Sequence, residues 1–127
     1  MTRWTLLTLC LFAACGRNVP DGARIVVAGD SVMAWNRSSG ASVADALQST
    51  LREPVGDVSL SLAKIAGGRG AFNIPNQLDN VRAQWVVLNG GANDLMGNCD
   101  CSDCGPVLDR LISEDGLRGA IPALVAD

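Results

Sequence analysis

What most constrains this chain is a set of short, unbroken apolar runs, each ending at glycine or a small polar turn. Arg24 to Gly29 reads R-I-V-V-A-G, and Trp85 to Leu88 reads W-V-V-L before Asn89-Gly90-Gly91. Short β-branched runs without polar alternation predict strands buried on both faces. Val58, Leu60 and Leu62 alternate with other residues, which predicts a further strand between these two. Amphipathic segments lie between and after the strands. Ser42 to Glu53 predicts a helix. Ser42 with Asp45 resembles a capping box, Val43, Leu47 and Leu51 share a face, and Pro54 ends the run. Pro75 to Arg82 predicts a short helix with proline in its first turn. Pro106 to Ile112 predicts another, with Val107, Leu108, Leu111 and Ile112 on one face. Gly119 to Asp127 opens a last one, with Pro122 in its first turn. Strand–helix alternation with apolar strands implies an α/β fold whose parallel sheet is covered on both faces.

Three predicted strands fall short of the usual sheet of about four to six. The last helix reaches Asp127 without a stop signal. The expectation is therefore an incomplete α/β domain, the N-terminal part of a larger one. No repeat, low-complexity stretch or linker divides the chain.

The start of the chain has a different character. Arg3 precedes an uncharged, mostly apolar stretch from Trp4 to Ala14. A membrane-spanning helix needs about 20 such residues, so this stretch is too short to span and fits the h-region of a signal peptide over residues 1–14. It ends Phe12-Ala13-Ala14-Cys15, which resembles a bacterial lipobox with Phe12 where an aliphatic residue is usual. Cys15 is then the candidate lipidation site. The expected location is the cell envelope, lipid-anchored and facing the periplasm or exterior, with plain secretion as the alternative. Residues 15–127 form the mature domain.

Export places the remaining cysteines in an oxidising compartment. Cys99, Cys101 and Cys104 are spaced C-x-C-x-x-C, so two could pair and leave one over. The rival reading is a zinc site with Asp100 or Asp103 as further ligand.

Composition narrows the function. Apolar residues make up 48% and charged residues 18%, which is globular rather than disordered. A net charge of −3 argues against nucleic acid as a partner, because phosphate binding needs a basic face. There is no histidine among the 127 residues, so no imidazole chemistry can arise within them. Oligomeric state leaves no signature.

The residues with chemistry follow the strands. The first strand runs into Gly29-Asp30-Ser31, the second leads to Gly67-Gly68, and the third to Gly91-Ala92-Asn93-Asp94. In open parallel sheets, ligands bind beyond the carboxyl ends of the strands where strand order reverses. The common order 2-1-3 would set Ser31 and Asn93 across one crevice.

These motifs, over Arg24 to Asp94, resemble the SGNH (GDSL-type) hydrolases. The resemblance implies a flavodoxin-like three-layer α/β/α sandwich and a serine esterase or lipase acting on acyl esters through an acyl-enzyme. Ser31 is similar to the nucleophile, which also lends its N–H to the oxyanion hole. Gly67 is similar to the second donor, with Gly68 as fallback, and Asn93 to the third, through its side-chain amide. No cofactor and no metal is implied. Substrates would be small-molecule or lipid esters, such as lysophospholipids, short-chain esters or O-acetylated sugars. The family's D-x-x-H motif, which carries the general base, is missing from this chain. Either it lies downstream or the protein is a non-catalytic envelope binding protein that holds an acylated or glycan ligand.

Plainer roles stand beside these. Ser31 could be only a helix N-cap. Asp30 and Asp94 are expected to shape turns and caps rather than act as bases. Gly67, Gly68 and Gly70 could simply make a flexible turn. No Gly-Lys-Ser/Thr follows the glycines, which argues against a phosphate loop. Trp35 and Trp85 are expected in the core or in pocket walls. Arg37 and Arg69 are expected at solvated positions near the crevice, within reach of an anionic substrate.

Overall fold

A computed structural model describes residues 19–99 and 103–126. Residues 1–14, expected to be a signal peptide, the candidate lipidation residue Cys15, and Asp100 and Cys101 lie outside the described residues. Three strands form one parallel sheet: β1 (Ile25–Ala28), β2 (Val55–Asp57) and β3 (Trp85–Leu88), in the order β2-β1-β3. Ile25 of β1 lies opposite Val55 on one side and Trp85 on the other.

Because side chains alternate along a strand, β1 feeds two cores. Ile25 and Val27 face α2 (Val43–Leu51) and pack with Met33, Ala44 and Val55. Val26 and Ala28 point to the other face, with Val58, Leu78, Val81 and Leu88 around them. Val26, Val27 and Ala28 are all 0% exposed, so the unbroken apolar run reflects burial on both faces. A third cluster of Ala63, Ile65, Ile74 and Leu111 lies under the segments that follow β2 and β3.

The shorter elements are α1 (Ser31–Ala34), α3 (Ile74–Gln77), α4 (Ala92–Leu95), α5 (Gly105–Leu111) and α6 (Ala120–Ala126). Helix α2 starts as the sequence predicts. Ser42 accepts from the N–H of Asp45, and the Asp45 carboxylate accepts from the Ser42 N–H, a full capping box. It ends before Glu53, because Arg52 turns left-handed (φ 58°) and its N–H bonds the carbonyl of Gln48.

Several expectations need correction. The second strand is Val55–Asp57, not the alternating run Val58–Leu62. Val58 and Leu60 still donate to Val27 and Gly29 of the first strand segment, both at 2.9 Å. The chain then turns away at Leu62 (φ 68°), which is exposed. The helix expected over Pro75–Arg82 stops at Gln77. Strand β3 has the predicted bounds but is not buried: Trp85 is 66% exposed and Val86 is exposed too. Among the described residues it is an outer strand bonded only to β1, without the two-sided cover that β1 enjoys. Of the predicted α5 face, Val107 and Leu111 are buried, whereas Leu108 and Ile112 are exposed. No described helix is long and apolar enough to cross a membrane.

Candidate active site

The carboxyl edge of the sheet gathers the three polar segments. Gly29 follows β1 with φ 141°, a conformation that favours glycine, and a Cβ there would meet Asn89 Oδ1 at 2.2 Å. Asp30 then caps α1, its Oδ1 accepting from the Val32 N–H at 2.9 Å. Ser31 is therefore not the cap but the first residue of the helix, which removes its plainer reading. Its side chain is half-buried, and no hydrogen bond occupies its hydroxyl among the described residues.

Two residues that the sequence did not single out hold this turn. The Asp30 N–H donates to Asn89 Oδ1, and Asn89 Nδ2 donates back to Asp30 Oδ1. Gln77 clamps Gly29 from the opposite side. Its Oε1 accepts from the Gly29 N–H at 2.8 Å, and its Nε2 donates to the Gly29 and Ala71 carbonyls at 3.1 Å. Such side chain–backbone pairs give no periodic sequence signal; only a glutamine or asparagine buried in the fold marks them.

The second and third segments are also tied together. Asp94, only 4% exposed, accepts from the N–H groups of Ile65 and Ala66, each at 2.8 Å. Buried Asn93 donates from Nδ2 to the Ala63 carbonyl at 3.0 Å, which leaves its second amide hydrogen for another acceptor. Asp30 and Asp94 thus brace the backbone, as expected of them. Gly67 lies just past the residues that Asp94 holds, exposed, on the wall of a cavity of about 260 Å³ that Asp94 also lines. Gly68 has a different role. A Cβ there would sit 1.8 Å from the Phe72 carbonyl oxygen, so this glycine lets the loop close on itself.

The remaining candidates fall away from the site. Arg37 forms a two-pronged ion pair with Asp57, at 2.8 and 2.7 Å, and also donates to the Ser59 carbonyl and hydroxyl. It is committed to the fold rather than solvated at the crevice, whereas Arg69 is exposed. Trp35 is 69% exposed, so neither Trp35 nor Trp85 belongs to the core. Cys99 and Cys104 are joined as a disulfide across the turn before α5, which removes both thiolates from any zinc site.

Comparison of the chain with family models, with curated proteins and with solved structures gave no match in any of the three. The class is defined by the fold: an α/β protein with a parallel 2-1-3 sheet and three cross-braced polar segments at its carboxyl edge.

Proposed function

We propose that the protein is an SGNH-type serine hydrolase that cleaves acyl esters through an acyl-enzyme. The observation that supports this most is the position of Ser31, separated from the end of β1 by Gly29 and Asp30 and first in helix α1, which Asp30 caps, beside a braced asparagine-glycine segment. Ser31 Oγ attacks the acyl carbonyl carbon, the ester C–O bond breaks, and the alcohol leaves with a proton. Water then attacks the acyl-enzyme and releases the acid. The N–H groups of Ser31 and Gly67 and the second Asn93 amide hydrogen stabilise the oxyanion. This needs no cofactor. These 127 residues hold no histidine, so an SGNH-type base would have to come from a D-x-x-H segment that is not among them. Cys15 anchors the protein to the envelope membrane after signal cleavage, and the substrate is a small-molecule or lipid ester.

The test is hydrolysis of 4-nitrophenyl butyrate by the protein as its gene encodes it. Ser31→Ala should lower turnover by about a thousandfold or more, and Asn93→Ala by about a hundredfold or more. Unchanged turnover in Ser31→Ala would sink the nucleophile assignment.

The missing histidine also favours a second reading, an envelope protein that binds an acylated or glycan ligand without cleaving it. Covalent labelling of Ser31 by a fluorophosphonate separates the two, since only an activated serine reacts.

A further inference from the structure

The cavity beside Gly67 carries an unusual charge pattern. Lys64 and Arg110 both line it, Lys64 from the segment after β2 and Arg110 from α5. An ideal Cβ on Gly67 would lie 3.7 Å from Lys64 Cδ, so the lysine stem runs along the open face of that glycine. Among the described residues neither cation makes an ion pair. Among the described residues lining it, the one carboxylate is Asp94, which is turned to the backbone N–H groups of Ile65 and Ala66 and spends both oxygens there. Among the described residues, two cations without an ion pair therefore outweigh one engaged anion in a concave site, within a chain of net charge −3.

We propose that Lys64 and Arg110 form an anion subsite next to Gly67, so that the preferred substrate is an ester carrying a carboxylate or phosphate group. This rests on the esterase reading for the word substrate, but the subsite itself does not. The arginine fork suits the planar or tetrahedral oxygens of such a group, and the lysine adds a point charge. At about 260 Å³ the cavity lies below the usual range of about 300–1,000 Å³ for whole ligands, so it fits a charged substituent rather than an entire lipid.

The experiment is calorimetric titration of inorganic phosphate and of succinate into the protein as its gene encodes it. Lys64→Gln and Arg110→Gln should each weaken binding roughly tenfold, and Arg82→Gln, which removes an exposed cation away from this cavity, should bind as the parent does. The stronger of the two anions identifies the chemistry recognised. No binding by the parent, or equal binding by the Lys64→Gln/Arg110→Gln double variant, overturns the subsite. Hydrolysis of 4-nitrophenyl acetate against mono-4-nitrophenyl succinate gives the second arm. The variants should raise KM for the charged ester alone, and an equal rise for both esters counts against the subsite. Failure to hydrolyse either ester refutes the esterase reading and leaves the titration to decide the subsite.

Discussion

Asp30 and Asn89 hold each other through two hydrogen bonds, backbone N–H to Oδ1 at 3.2 Å and Nδ2 to Oδ1 at 3.0 Å. The pair links the carboxyl ends of β1 and β3 one residue before Ser31. It also orients the carboxylate that caps α1. Asp30 is 1% exposed, so losing Asn89 leaves a buried N–H and carboxylate short of a hydrogen-bond partner.

Asn89→Ala should therefore destabilise the protein by about 1–3 kcal/mol, the usual cost of leaving a buried polar group unsatisfied. Asn89→Asp keeps the acceptor, loses the donor and sets a second carboxylate against Asp30, so it should cost at least as much at neutral pH. Urea unfolding of both variants measures this. Wild-type midpoints would show that the bridge contributes nothing.

Gln77 makes the matching clamp on Gly29 and is equally buried. Gln77→Leu has similar volume but leaves the Gly29 N–H without an acceptor. The expected loss is again about 1–3 kcal/mol. Gln77→Glu retains the acceptor, loses the donor to two carbonyls and buries a charge, so it should be worse than leucine at pH 7. The order of the two urea midpoints is the readout.

Local chemistry made part of this fold legible. The capping box of Ser42 and Asp45 lies within one helical turn, and β1 and β3 are continuous apolar runs. β2 was harder to read, because V-G-D places glycine inside a strand, where glycine normally weakens it. Its reason is tertiary: a Cβ on Gly56 would lie 3.0 Å from Val26 Cγ2 and 3.1 Å from Val19 Cγ1. The exposure of β3 was also hidden, since an apolar run reads alike on a central and an outer strand. In the site, Ser31, Gly67 and Asn93 stood out by motif. Asn89 and Gln77 did not, because their partners lie 59 and 48 residues away.

The two neighbouring glycines should respond in opposite ways. Gly68→Ala drives a Cβ into the Phe72 carbonyl at 1.8 Å, and backbone cannot yield cheaply. A loss of about 1–3 kcal/mol is expected, as for other overpacked sites. Gly67→Ala meets only Lys64 Cδ at 3.7 Å, ordinary contact, so stability should stay within about 0.5 kcal/mol. Its methyl would instead intrude on the cavity wall, and ester hydrolysis should fall while the thermal midpoint holds. A Gly67→Ala protein as unstable as Gly68→Ala would contradict the distinction.

The capping box carries a pH dependence whose sign is fixed. The Ser42 hydroxyl, then the Ser42 N–H, and more weakly the charge of Arg37 hold the Asp45 carboxyl below its ordinary value of 3.8, against a small opposing effect of burial. A carboxyl with a depressed folded-state pKa binds protons less readily in the native state than in the unfolded one. Its contribution is thus fully present above the unfolded value, near neutral pH, and is lost as pH falls below 3.8 through the folded value. Asp45→Asn removes that component. Stability curves of the wild type and Asp45→Asn should therefore differ most near pH 7 and converge in strong acid. Ser42→Ala deletes the cap at every pH and should cost about 0.5–2 kcal/mol. Thermal unfolding between pH 7 and pH values below 3.8 checks both, and a wild-type advantage that grows on acidification would reverse the assigned sign.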